Sequence, residues 1–348
     1  MSPQDVIYWR WISATVLGIV TTSSVYHWSI EDDAAPQKVF DRHASLADTQ
    51  IINYRASADG KWMVLIGISS NTVDANAFRI KGSMQLYSKE RGVSQPIDGH
   101  AAAFAELKTQ DANVPYKLFT FAVRTSTGAK LHIVEIDHAP ENPAFSKKTV
   151  DVFFPDEATN DFPVAMQVSK RYGIVYLMTK YGFIHLYDLE TGACIYMNRV
   201  SGETVFVAAE QKSSNGIIAV NRRGQVLSVS VDADTIIPYI LRTLNNTDLA
   251  FKLASRGNLP GADEMYLQQF HSLFSTGQYT EAIKIAANSP RGILRTPQMI
   301  EQLKQVPSQP GTLSPILQYF GMLLESGSLN QHESCLLYTS DAADERSS

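Results

Sequence analysis

The chain has 348 residues, 44% hydrophobic and 19% charged, enough apolar material for one large or two ordinary domains and far from the composition of a disordered chain. A net charge of −5 leaves no polybasic footprint, which argues against a protein built mainly to bind nucleic acid. Two cysteines, Cys194 and Cys335, make no disulfide framework, and no apolar run reaches the roughly 18 residues of a spanning helix, so a reducing cytosol is the expected setting.

From about residue 5 to 230, short alternating or wholly apolar runs are separated by Gly, Asp, Asn and Ser, and helical periodicity is missing; many strands are predicted. In chain order the runs begin at Val16, Val25, Gln50, Trp62, Met84, Leu118, Leu131, Ile174, Phe183, Thr204, Ile217 and Gln225. The stretch from Ile12 to Val25 is broken by serines and threonines and reads as strand, not anchor.

A repeat appears when the run from Gly173 through Gly182 to Tyr187 is laid on the run from Gly216 through Gly224 to Val229, the glycines recurring at 43 and 42 residues. A strand, a Lys/Arg-plus-Gly turn and a second strand form the central hairpin of a β-propeller blade, and such a period suits propellers. Similar second strands centre on Trp28, Tyr87, Val134, Tyr187 and Val229, which predicts about five blades over residues 1–231, with loop insertions such as Asn71 to Lys81. The Gly-His and Trp-Asp marks of the WD40 class are missing.

After Asp232 the apolar residues take helical spacing. Tyr266, Phe270, Leu273 and Phe274 form one stripe, ended at Gly277, and Ala282, Ile283 and Ala286 the next. Thr296-Pro297 and Ser314-Pro315 place a capping hydroxyl before a proline at the first helical position, and Leu317, Phe320, Leu323 and Leu324 precede Gly327. Residues 232–334 are therefore expected to be short antiparallel helices, the start of an α-solenoid. The segment 335–348, from Cys335-Leu-Leu-Tyr-Thr-Ser onward, resembles the translation of a sequencing-library adapter and is expected not to be native. It carries Asp341, Asp344 and Glu345 against Arg346, so without it the charge of −5 softens to −3.

Little here points to catalysis. The eight histidines lack metal-ligand spacing, and neither a P-loop nor Gly-x-Ser-x-Gly is present; no metal or cofactor is expected. Asp32-Asp33 and Asp188/Glu190 follow strands and read as solvated loop groups, which weakens the rival reading of a propeller hydrolase with paired acids at the channel. His132 and His185 occupy equivalent places in two strands and suggest repeated packing. Trp9, Trp11, Trp28 and Trp62 suit either aromatic recognition or packing between blades, with packing preferred. Lys89, Arg91, Lys147 and Lys148 are local basic spots that read as solvated surface unless an apolar groove lies beside them.

A non-WD propeller running into helices is the plan of the clathrin heavy chain family, and particular residues carry the resemblance. Val25-Tyr-His-Trp28-Ser, Gln50-Ile-Ile-Asn-Tyr54-Arg, Asn160-Asp-Phe-Pro-Val-Ala-Met166, His185-Leu-Tyr-Asp-Leu-Glu-Thr-Gly192 and Gly292-Ile-Leu-Arg-Thr-Pro297 resemble that family nearly word for word, over about residues 5 to 334. The resemblance implies a non-enzymatic structural protein of coated pits and coated vesicles, cytoplasmic and peripheral on plasma membrane and trans-Golgi, acting in endocytosis and vesicle-mediated transport without cofactors. It implies a seven-bladed ring of which this chain holds blades three to seven, with Met1 an internal methionine of a partial transcript. It further implies partners: adaptor and accessory proteins with short hydrophobic and acidic motifs, and clathrin light chain and other heavy chains through regions beyond residue 334. An arrestin-type peptide groove is expected at Trp62, Leu86, Arg91, Val93, Gln95 and Lys147, and an incomplete central cavity of W-box type at Gln50, Ile52 and Ile68.

Overall fold

In a computed structural model of the chain, residues 5–31, 35–70, 80–307 and 313–344 are described, with side chains described as far as 337. The chain divides into two compact units, Met1–Val231 and Asp232–Ser348. Among the described residues the first holds five antiparallel meander sheets, the blades of a propeller. Blade one comprises β1 (Val6–Trp11), β2 (Val16–Thr21), β3 (Ser24–Ser29) and β4 (Gln37–Asp41). Blade two follows with β5 (Gln50–Ala56), β6 (Trp62–Ser70), β7 (Ile80–Ser88) and β8 (Val93–Asp98). Blade three is β9 (Ala101–Leu107), β10 (Tyr116–Thr125), β11 (Gly128–Glu135) and β12 (Lys148–Asp151). Blade four is β13 (Pro163–Ser169), β14 (Ile174–Thr179), β15 (Phe183–Asp188) and β16 (Cys194–Arg199), and blade five has β17 (Val205–Gln211), β18 (Gly216–Asn221) and β19 (Val226–Val229).

The five residues that mark the repeat, Trp28, Tyr87, Val134, Tyr187 and Val229, all lie in the third strand of their blade. The insertion expected from Asn71 to Lys81 falls largely on residues 71–79, outside those described, as do Asp32 and Asp33.

Core residues cluster between successive blades. Val25, Tyr54 and Leu65 fill the space between blades one and two, Ile66, Leu86 and Phe119 that between two and three, and Leu131, Met166 and Val175 that between three and four. Every residue of β14 and β15 is buried, because each face of a middle blade is covered by a neighbour. That double burial is why these strands read as continuous apolar runs instead of alternating ones. The inner strands β1, β5, β9, β13 and β17 line the channel, with β1 packed on β5 and β13 on both β9 and β17. Ala101, Ala102 and Ala103 are buried on β9, small side chains that let this inner strand pack closely on its neighbours.

One expectation of the sequence fails at the start of this arrangement. Trp9 and Trp11 do not pack between blades: they are 62% and 46% exposed, with Ile7, on the alternating outer face of β1. On blade five, Phe206 is 81% and Val226 64% exposed. A second correction concerns Asp188, which is fully buried instead of solvated; its carboxylate accepts from the Thr191 amide and hydroxyl, both at 2.8 Å, and closes the turn after β15.

The second unit contains α1 (Ile236–Arg242), α2 (Thr247–Gly257), α3 (Asp263–Ser275), α4 (Tyr279–Ala287), α5 (Pro297–Lys304), α6 (Pro315–Glu325) and α7 (Gln331–Asp344). Asn246, Thr296 and Ser314 cap α2, α5 and α6 by accepting from the amides of Leu249, Met299 and Leu317. The predicted stripe on α6 is only half right: Phe320 and Leu323 are buried, whereas Leu317 and Leu324 are 56% and 52% exposed and Tyr319 takes the core position. Tyr319 donates to Glu333 at 2.6 Å, and the Arg295 guanidinium grips the same buried carboxylate bidentately. Burial opposes the Glu333 charge, but hydrogen bonds from Arg295, Asn330 and Tyr319 outweigh it and hold the carboxyl below its usual range. No helix of the described residues is long and apolar enough to cross a membrane.

Three outcomes test this account. Gly182, in the β14–β15 turn, has φ +85° and a Cβ there would lie 2.6 Å from the Ser201 carbonyl; Gly224, its counterpart between β18 and β19, has φ +78° but open space. Gly224→Ala should therefore cost about 1–2 kcal/mol from the left-handed backbone alone, and Gly182→Ala clearly more, in denaturant melts. Glu333→Ala leaves the Arg295 charge unpaired and should destabilise the helical unit by about 3–5 kcal/mol by far-UV circular dichroism, an Arg295→Met/Glu333→Leu pair by much less. His185 is 1% exposed with neither ring nitrogen hydrogen-bonded, and burial pushes its pKa down to about 4. The folded state thus keeps it neutral while the unfolded chain takes up a proton near pH 6.5, so its contribution is fully present above that pH. As pH falls from 6.5 to about 4, stability should drop by on the order of 3 kcal/mol, and His185→Phe should flatten that slope.

Candidate functional site

The groove residues come from one hairpin of blade two and one edge of blade three. In the ladder, Trp62 pairs with Ser88, Ser88 with Val93, Val64 with Leu86 and Leu86 with Gln95. Partners across a ladder and residues two apart share a face, so Trp62, Leu86, Val93 and Gln95 lie on the same side of blade two. Leu86 and Trp62 pack with Phe104, Phe119, Phe121 and Val134, which identifies that side as the one turned to blade three.

Burial grades across this face. Leu86 is 5% exposed and forms floor, Trp62 is half-buried, and Val93 is 59% exposed at the rim, beside exposed Gln95. The turn from β7 to β8 carries Arg91, whose guanidinium sits 5.9 Å from the centre of the Trp62 ring, a cation held against an aromatic face. Across from it, Lys147 is exposed just before β12. His132 pairs with Phe121 on one side and Thr149 on the other; its ring stacks on Phe121 at 4.7 Å. Burial first, then the charges of Lys147 and Lys130, lower the His132 pKa, which places Lys147 within electrostatic reach of this face. Apolar residues of blades two and three thus share one cluster, with Arg91 at the Trp62 edge and the charge of Lys147 felt at His132. Phe121 joins that cluster and His132 stacks on it from blade three, a relation that no spacing in the sequence points to because it arises only when two blades meet.

Two of the three residues expected at a central cavity pair in the sheet. Gln50 at the start of β5 pairs with Ile68 of β6, and the register shifts between Ile51 and Asn53, so Ile52 sits at a bulge. Gln50 is exposed, and Ile52 and Ile68 are half-buried. Ile52 packs with the cluster between blades two and three. Among the described residues no group of three or more His, Cys, Asp or Glu is placed to hold a metal.

Comparison with known proteins gives a consistent picture. The family model for the clathrin propeller repeat matches residues 155–190 and 198–232, which are blades four and five; the clathrin heavy-chain linker model matches 234–256, and the Clathrin-H-link model 258–323. The chain is 55% identical to the probable clathrin heavy chain of Schizosaccharomyces pombe over 330 residues, covering 95% of this chain and 19% of that protein. Against the clathrin heavy chain of Drosophila melanogaster identity is 56% over 333 residues, 95% of this chain and 20% of the other. Human clathrin heavy chain 2 is 52% identical over 332 residues, again 95% and 20%. The chain thus spans about a fifth of the length of these relatives.

Proposed function

The chain belongs, through its propeller and linker, to the clathrin heavy chain family, and from that premise we propose that it works as a non-enzymatic vesicle-coat protein that captures short peptide motifs of adaptors in the groove between blades two and three. The observation that carries the reading is the Arg91 guanidinium poised over Trp62, at the edge of a trough floored by Leu86. A peptide of bulky aliphatic residues with one acid fits such a trough, its side chains on Trp62 and Val93 and its carboxylate beside Arg91 or Lys147.

Burying about 300–400 Å2 of apolar area is nominally worth about 8–10 kcal/mol at roughly 25 cal/mol per Å2, most of it cancelled by the ordering of a flexible peptide. Micromolar or weaker binding follows, and it becomes useful when many copies are displayed together on a lattice. In this reading the adaptors bridge coat to membrane and cargo on cytoplasmic faces of plasma membrane and trans-Golgi, in endocytosis and intracellular transport. Assembly with other heavy chains and with light chain uses segments beyond residue 334, and the helices of 232–334 open an α-solenoid.

The same reading accounts for the bare outer faces of blades one and five. Ile7, Trp9 and Trp11 on one side, and Phe206 and Val226 on the other, are the surfaces that two more blades of a seven-bladed ring would cover. The central cavity at Gln50, Ile52 and Ile68 would take part of its wall from such a blade.

Binding of an aliphatic-acidic peptide of dileucine type, followed by fluorescence anisotropy, tests the groove. Trp62→Ala and Arg91→Glu should each weaken it at least tenfold, the latter more at low than at high salt. Unchanged titration curves for both would remove the groove from the function.

A further inference from the structure

At the mouth of the channel opposite Gln50, where the inner strands end, lies a cavity of about 520 Å3. Its lining includes Arg10 from β1, Arg55 from β5, Gln167 from β13, and Lys170 and Lys212 just past the ends of β13 and β17. Aromatic and aliphatic walls come from Trp11, Phe104 and Ile136.

The charges here are handled unusually. Arg10 Nη1 donates to Asn53 Oδ1 at 2.6 Å, and Arg55 Nη1 reaches from blade two to Gln167 Oε1 of blade four at 3.2 Å. Both acceptors are neutral amides, so neither hydrogen bond offsets a positive charge. Arg55 Nε is buried without any hydrogen-bond partner, and burial followed by the nearby charge of Arg10 lowers the Arg55 pKa to about 10. Two guanidiniums thus converge on one space, and among the described residues Lys170 and Lys212 form no ion pair. The acids at the mouth are Asp59, Glu106 and Glu210. Asp59 is taken by Lys117 at 2.8 Å, and Glu210 is close enough to Arg55 to favour its charge only after the effects of burial and Arg10 are counted.

We infer that this mouth of the channel is a second peptide-binding site, in which Arg10 and Arg55 receive a single carboxylate of a partner peptide while Phe104 and Ile136 take an adjoining apolar side chain. A carboxylate fits better than a phosphate for two reasons. Planar guanidiniums match a carboxylate's two oxygens, and those of Arg10 and Arg55 come from residues that both line the cavity. Glu106 and Glu210 stand at the rim and repel a ligand of charge −2 about twice as strongly as one of charge −1. The site does not depend on the blade two–blade three groove, although Trp62 borders both.

The probe is the acetylated and amidated tripeptide of tryptophan, glutamate and leucine, with its glutamine counterpart, read by ligand-observed NMR on the whole chain. The glutamate peptide should bind at least tenfold more tightly than the glutamine one, and Arg55→Gln should erase that difference while Arg55→Lys keeps part of it. Since Arg55 is packed among neighbours, the exposed pair Lys170→Gln/Lys212→Gln is measured beside it, with about a threefold loss expected. Arg91→Glu should leave this binding unchanged. Equal affinity of the two peptides, no loss in any of the basic variants, or loss on Arg91→Glu would each overturn the assignment. So would displacement of the peptide by inorganic phosphate at equal concentration, which would make the site a phosphate site.

Discussion

A four-stranded sheet that is apolar on both faces cannot stand in water by itself; it has to be pressed between two others. The middle blades meet that constraint fully, and β14 and β15, with no exposed residue, are its clearest expression. Much else follows from it. Inner strand β9 packs through three buried alanines, and the β14–β15 turn is tight, with Gly182 against the Ser201 carbonyl. Polar groups trapped in the stack need partners or must stay uncharged. Gln85, fully buried in β7, joins the blades by donating to the Asp41 carbonyl and accepting from the His43 amide. His185 finds no partner and is kept neutral.

The same packing makes the surface features that can recognise other molecules. Burial falls off toward the outer strand of blade two, so Leu86 is part of the hydrophobic cluster and Val93 is not. Where five inner strands end together, their terminal side chains are forced into one space. Arg10 and Arg55 are neighbours there for no reason visible along the chain. Both places bring apolar side chains and cations together, the combination on which the two proposed peptide sites rest.

The helical unit follows a different logic. Its helices are short and individually marginal, so stability comes from caps and from packing on neighbours, α3 on α4 and α4 on α6. The Arg295, Tyr319 and Glu333 triad ties α6 and α7 to the segment before α5 through one buried carboxylate. Such a pair adds little net stability when intact and much instability when halved, so it acts more as a lock on the arrangement than as a source of energy.

What the sequence by itself determined is the kind of element and its recurrence. Twelve runs fell on strands, the Gly182 and Gly224 turns marked homologous hairpins, the third-strand residues from Trp28 to Val229 counted the blades, and Thr296 and Ser314 announced their helices. These are local properties, written in apolar period, turn chemistry and capping. It missed the strands β1, β4, β8, β9, β12, β13 and β16, because an inner strand made of alanines and outer strands half in water lack the strong apolar signal of a buried middle strand. The shared face of Trp62, Leu86, Val93 and Gln95 was named on the strength of family likeness, but the packing of Phe121 and His132 from blade three was not. Exposure of Trp9, burial of Asp188 and the convergence of Arg10 on Arg55 were decided only by tertiary structure. Each depends on which sheet face meets a neighbour and on which strand ends share the channel. Those relations join residues far apart along the chain, and no local pattern encodes them.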